Sequence, residues 1–428
     1  MLRALILALG LTAWMGPSHA ADPTPPPAAE PGLKGPELLP ALIQHSRSQL
    51  LLQEGRLAGP GLAALRELLQ PTQYLLLGED HLIEGVADFA TALWPELHAL
   101  GYRHAVLEAD PWAVAAMERA LAAAADPLAA LGPWLQAKGG AAALPFYGMA
   151  PEARWLAAIL RSQPGPKGPR LWGVDQVFLG SVPIVLEPVA RQARDPQARR
   201  MAQALADEAK GQLNWLPKVA PERLQALLAR LDARREPDLS ERVQALLDSR
   251  AIYQPFTGGG GEALLANEHR EQGMRRAFFQ ALEAATRREG RAPKVVLKLG
   301  ANHLIRGASS TGVQSFGNAV VEAANRARQH SLSMLLLCKP GSPTGTFQGG
   351  SAACDAARYQ GDWAFLEPHL HGEGYTVFDL RSWRLRPGRW AHLPARVQQA
   401  VLGFDLLVFA PSQQPAQYLP GLTPPKVE

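Results

Sequence analysis

The chain has 428 residues, 47% of them hydrophobic and 19% charged, with a formal net charge of +4. That length allows one large domain or two ordinary ones, and the charged fraction lies below the roughly 25% usual in soluble domains. A strongly basic nucleic-acid binder is excluded, because Arg199 with Arg200, Arg234 with Arg235 and Arg287 with Arg288 fall on helical patterns where a solvated face accounts for them.

The N-terminus reads as a targeting segment. Arg3 supplies a positive charge, Leu2 to Gly16 is otherwise apolar, Pro17 breaks the run, and Ser18-His19-Ala20 offers small residues for cleavage. Residues 1–20 are therefore expected to be a secretory signal peptide, so that the mature protein is exported, periplasmic or secreted. The run is shorter than the roughly 20 residues of a spanning helix, and no later stretch suits a span. Residues 21–41, rich in Pro and Ala, read as an extended linker. The folded domain is expected over 42–428.

Short apolar strands then alternate with helices. Tyr74–Leu77 is followed by Gly78, Glu79, Asp80 and His81, and helical spacing runs from Ile83 to Leu100, stopped at Gly101. His104–Leu107 leads into Glu108 and Asp110, and Pro111 opens a helix to Ala125. A further helix spans Glu152–Arg161, and Arg170–Val174 ends in Asp175 and Gln176. From about 188 to 291 no strand is expected. Good helix formers dominate there, with breaks near Pro217, Pro221 and Pro237 and a four-glycine run at 258–261. Lys294–Leu299 then leads to Gly300, Asn302 and His303, and strands follow at Ser333–Leu337, Tyr375–Phe378 and Phe404–Phe409. The pattern predicts an α/β fold: a largely parallel sheet, helices on both faces, and a long helical insertion. The two cysteines, Cys338 and Cys354, either form a disulfide across a glycine-rich loop or remain two buried thiols.

Ligands of open α/β sheets bind beyond the carboxyl ends of the strands. Glu79, His81, Glu108, Asp175, Gln176, Asn302 and His303 should all gather there. Asp110, before Pro111, reads as a helix cap. An imidazole or carboxylate at a strand end can take a proton from water. Two imidazoles with one carboxylate could instead hold a divalent metal with an open position. The glycines three residues before each His are expected to permit a sharp turn.

These motifs, Leu75-Leu-Leu-Gly-Glu-Asp-His81, Gly101-Tyr-Arg-His-Ala-Val-Leu-Glu108, Leu171-Trp-Gly-Val-Asp-Gln176 and Gly300-Ala-Asn-His303, resemble in order and context the erythromycin-esterase/ChaN-like superfamily, with kinship to the TraB/Tiki group. Arg270-Glu-Gln-Gly-Met274 is similar to the segment that precedes the second His in esterase-like members. The resemblance implies hydrolysis of an ester or amide bond in a small-molecule or peptide substrate. Glu79 and His81 would activate water, Glu108 and His303 would complete the catalytic set, and Asp175, Gln176, Arg270 and Asn302 would bind substrate. Tiki-like members imply a metal (Mn, Co or Zn) on His81, Glu108 and His303. ChaN-like members imply haem binding without catalysis. Glu79-Asp80-His81 is one residue shorter than the esterases' Glu-x-x-His and is closer to the ChaN- and Tiki-like spacing.

Overall fold

The computed structural model describes residues 38–256, 262–354, 363–411 and 414–425. Residues 1–20, read as a signal peptide, the stretch read as linker as far as residue 37, and the four glycines at 258–261 lie outside the described residues. Helix α1 (Leu38–Ser46) already buries Leu42 and Ile43, so folded structure begins inside the stretch read as linker. No helix among the described residues is long and apolar enough to cross a membrane.

The strands are β1 (Arg47–Gln53), β2 (Arg56–Ala58), β3 (Thr72–Glu79), β4 (His104–Leu107), β5 (Leu171–Gly173), β6 (Val295–Gly300), β7 (His330–Cys338), β8 (Pro343–Gly345), β9 (Ser351–Ala353), β10 (Tyr375–Asp379) and β11 (Leu406–Ala410). Nine of them form one sheet in the order β2-β1-β10-β11-β7-β3-β6-β4-β5, while β8 and β9 pair as a separate hairpin. The six neighbours from β11 to β5 are mutually parallel. Their runs are apolar without alternation because helices cover both faces. Strand β10 runs antiparallel to β11, so Asp379 lies at the edge opposite the other predicted strand ends.

Helices α2 (Leu62–Leu69), α3 (Glu84–Ala99), α4 (Pro111–Ala122), α5 (Pro127–Lys138) and α6 (Ala150–Arg161) precede β5. Asp110 caps α4 by accepting from the Ala113 amide at 2.8 Å, and α3 stops where Gly101 takes a φ of 94°. Between β5 and β6 the chain is helical: α7 (Val182–Gln192), α8 (Pro196–Ala209), α9 (Trp215–Lys218), α10 (Pro221–Leu228), α11 (Pro237–Tyr253) and α12 (Ala263–Glu289). Pro221 and Pro237 sit in first turns, where a missing N–H costs nothing. The first four of these helices and α11 build a core of their own, around Val185, Leu205, Leu224 and Val243. Helix α12 leaves that core and lays Met274 and Phe278 on the sheet, beside α14 (Phe316–Arg326). The opposite face of the sheet packs on α3 and α6 around Phe89, Trp155 and Leu335.

This topology makes β3 a switch point. The chain leaves β3 for β4 and β5 on one side, returns through the insertion to β6, and then crosses to β7 on the other side. Such points open a crevice at the carboxyl edge.

Candidate active site

The crevice gathers the predicted residues by short steps from strand ends. Glu79 is the last residue of β3, and Asp80 donates its amide to Leu336 on β7 (3.2 Å), which turns His81 over the edge. Glu108 follows β4, and Asp175 follows β5. His303 sits on the one-turn helix α13 (Ala301–Leu304) directly after β6. Arg270 arrives from α12.

Glu108 is the hub. Its Oε2 accepts from the Gly300 amide at 2.6 Å and lies 3.3 Å from His81 Nε2. Its Oε1 lies 3.0 Å from Arg270 Nη2 and 3.5 Å from His303 Nε2. Each imidazole has a second carboxylate behind it. His81 Nδ1 is 3.0 Å from Glu79 Oε1, and His303 Nδ1 is 2.5 Å from Glu271 Oε1. Glu271 also takes the Phe316 amide at 2.5 Å, so it caps α14 while fixing His303. Arg270 binds Asp175 through Nε (2.9 Å) and Nη2 (2.6 Å), a bidentate pair. Behind Glu79 stands Lys298, 2% exposed, whose Nζ is 2.6 Å from Glu79 Oε2 and 2.7 Å from Glu152 Oε1.

The electrostatics follow from these pairings. Burial alone would lower His81, but Glu108 and Glu79 raise it to about 10. Burial and Arg270 lower His303, yet Glu271 and Glu108 raise it to about 9. Burial pushes Glu108 up, and the two imidazolium charges with their hydrogen bonds overcome this and hold it well below the usual carboxylate range. Glu79 is also lowered against its burial, chiefly by Lys298. Burial, then Glu152, Glu79 and Glu108, push the Tyr147 phenol far up, so it remains protonated. Both imidazoles therefore rest as cations at neutral pH.

The other predicted residues are placed differently. Arg270 is committed to Asp175 and Glu108, so its first role is to hold Glu108 and not to clamp an anionic substrate group. Asp175 in turn holds Arg270. Gln176 leaves its buried Oε1 without a partner, and Asn302 accepts from Ser310 Oγ at 2.8 Å on the following loop. Asp110 is a cap, and burial raises it to about 6.

Neither Gly78 nor Gly300 has a positive φ, so the turns to the histidines do not draw on the left-handed freedom of glycine. The two glycines permit close approach instead: a Cβ on Gly300 would meet His81 Nε2 at 2.9 Å, and one on Gly78 would meet the Phe404 ring at 2.9 Å. The metal reading of His81, Glu108 and His303 finds no support in this arrangement. Among the described residues no group of three or more His, Cys, Asp or Glu side chains is arranged to hold a metal ion. Both Nε2 atoms face Glu108, and the fixed cation of Arg270 already occupies the Glu108 oxygen that a metal would need.

Lys298, Glu152, Glu271, Tyr147 and Phe146 were not singled out in the sequence. Lys298 carried a usable signal, a lysine inside an apolar strand run, which is rarely buried unless paired. Glu152 opens a largely apolar helix that does not mark it, and Glu271 lies unmarked beside Arg270 within the segment Arg270–Met274. Phe146 stacks on His81 with ring centroids 4.0 Å apart and planes 16° apart, although 65 residues separate them in the chain.

The class so defined is an α/β protein with a crevice of paired carboxylates and imidazoles at the switch point of a largely parallel sheet. No family model matches the sequence, and no curated protein does. Solved structures do match. An erythromycin esterase mutant in its open conformation aligns with a TM-score of 0.58 and 15% identity, over 86% of this chain and 97% of its own. A succinoglycan biosynthesis protein aligns at 0.58 and 13% identity, over 90% and 99%. A protein from Bacillus cereus aligns at 0.59 and 11% identity, over 90% and 100%. At these identities the likeness shows the fold alone, one that this chain shares with the esterase and the other two solved structures. A ChaN structure from Campylobacter jejuni, described as binding haem cofacially, reaches a TM-score of only 0.32, too low to carry an argument about haem.

Proposed function

We propose that this protein is an exported hydrolase that cleaves an ester or amide bond of a small-molecule or peptide substrate with a water activated in the β3–β6–β4 crevice. The observation that carries this reading is the exposure of His81. Its side chain is 24% exposed, while Glu79 and Glu108, which orient its two nitrogens, are 5% and 7% exposed. A reactive imidazole thus faces the crevice on a buried carboxylate frame, as a general base must.

In its neutral form His81 takes the proton on Nε2, in place of the 3.3 Å contact with Glu108 Oε2, as the water oxygen adds to the carbonyl carbon. Arg270, held by Asp175, keeps Glu108 in place between the two imidazoles during the step. As the bond to the leaving group breaks, protonated His303 returns a proton to the departing oxygen or nitrogen. Glu108, between both imidazoles, balances their charge.

The test is turnover of an ester and amide panel by the full chain. His81→Ala should abolish activity with the fold retained by circular dichroism. An inactive wild type that develops a Soret band with added haem, lost in His81→Ala, would replace the hydrolase reading by ligand binding of the ChaN-like kind.

A further inference from the structure

We infer that Phe146 and Phe347 form a subsite beside His81 for a flat, apolar acyl group, and so determine which substrates the crevice accepts. The inference takes the role of His81 from the hydrolase reading; the binding itself does not depend on it.

Phe146 lies flat against the His81 ring, and Phe347 meets Phe146 edge-on at 5.3 Å with planes 63° apart. Both rings are only partly buried, and neither belongs to any of the three hydrophobic cores. They are large apolar groups that the fold does not use for packing, placed at the one exposed catalytic imidazole.

Both are held there. Phe146 has a φ of 61°, a left-handed conformation that a bulky residue adopts only under constraint. Its neighbours supply the constraint: Met149 donates to the Phe146 carbonyl (2.9 Å), and Ala150 donates to Gln417 O (2.7 Å). Phe347 lies between β8 and β9. Gly345 donates to the carbonyl of Leu82, the residue after His81, at 2.9 Å, and Tyr418 Oη donates to the Phe347 carbonyl at 2.8 Å. A Cβ on Gly345 would meet Ala416 O at 2.7 Å, so the hairpin lies as close as glycine permits. Leu82 itself has a φ of 67°. Positive φ at Phe146 and Leu82, two residues that belong to none of the three cores although Tyr147 and Ile83 beside them do, is the pattern of residues kept for a site. A ring edge and a ring face together favour an offset or edge-to-face planar partner. A carboxyl carbon attached to that partner would sit against His81.

The experiment compares 2-naphthoate with acetate, two carboxylates that differ in the acyl group. Calorimetry on the full chain should show naphthoate binding roughly tenfold more tightly or better. Phe146→Leu and Phe347→Leu, which keep apolar bulk but lose the flat ring, should each remove most of that preference. Phe347→Leu changes only the hairpin tip and keeps the test valid where Phe146→Leu disturbs the loop. The ratio of kcat/KM for methyl 2-naphthoate over methyl acetate should fall in parallel. Equal affinity for the two acids in the wild type, or a preference unchanged in both variants, overturns the inference. Preferential naphthoate binding through these rings without hydrolysis of either ester supports the subsite and overturns the hydrolase reading.

Discussion

Lys298 stands in the middle of β6 with Leu297 and Leu299 buried on either side. A lysine is tolerated there only when paired, and Glu79 and Glu152 pair it. Replacing it by Met leaves two buried carboxylates facing each other, a loss of roughly 3–5 kcal/mol. Lys298→Met should therefore melt well below the wild type, and addition of Glu79→Gln and Glu152→Gln should restore much of the loss. An unchanged melting temperature would show that the triad is not a closed charge network. The imidazoles differ in role, and that too can be measured. If His303 protonates the leaving group, His303→Ala should lose much less rate on a nitrophenyl ester, whose anion leaves unaided, than on an alkyl ester of the same acid. Equal losses on both would remove the acid role. None of these pairings can be read from spacing, because Glu152 lies 146 residues from Lys298. The chain announces Glu79, His81, Glu108 and His303 because each follows an apolar strand; their supporting residues come from helices whose inward face is not marked.

The elements were legible where burial is two-sided. Runs such as Leu75–Leu77 and Leu335–Leu337 have no polar alternation, and they form the central parallel strands. Strands β1 and β2 were missed because Arg47–Gln53 is half-buried at the sheet margin and its polar residues mask the pattern. The direction of β10 was also hidden, since the local pattern of a strand does not encode which way it enters a sheet. The β8–β9 hairpin was visible only as two cysteines and several glycines. In the structure Cys338, the last residue of β7, is bonded to Cys354 just after β9, across 16 residues. Closing a loop of that size contributes roughly 3 kcal/mol through the unfolded chain. The Cys338→Ser/Cys354→Ser variant should lose stability of that order in denaturant titration. It should also lose acyl selectivity, because the hairpin carries Phe347 to the crevice. Retained selectivity would place the hairpin's anchoring in its contacts with Leu82 and Tyr418 alone.

At the scale of the whole molecule, the charges that build the site also set opposite demands on pH. His81 and His303, raised to about 10 and about 9 in the folded chain, stabilise it fully below their unfolded value of 6.5, and this contribution is lost as pH rises through 9 and 10. Glu108 and Glu79, lowered from 4.5, contribute above that value and lose their contribution as pH falls. Stability from the site is therefore greatest between about 4.5 and 6.5. Turnover requires the opposite state. The step needs His81 neutral and His303 charged; with His81 at about 10 and His303 at about 9 this is the lesser of the two singly protonated forms, and its population still peaks between those values. Activity should thus climb nearly tenfold per unit above neutrality and peak near 9 to 10, several units above the stability maximum. Rate profiles of kcat/KM beside melting temperatures over the same buffers would check this. Glu79→Gln supplies the decisive comparison. It removes one carboxylate from His81, so the high-pH limb should move down and the alkaline loss of stability should shrink with it. If the rate profile moves while the stability profile does not, the proton that governs turnover is not the one that the fold holds on His81.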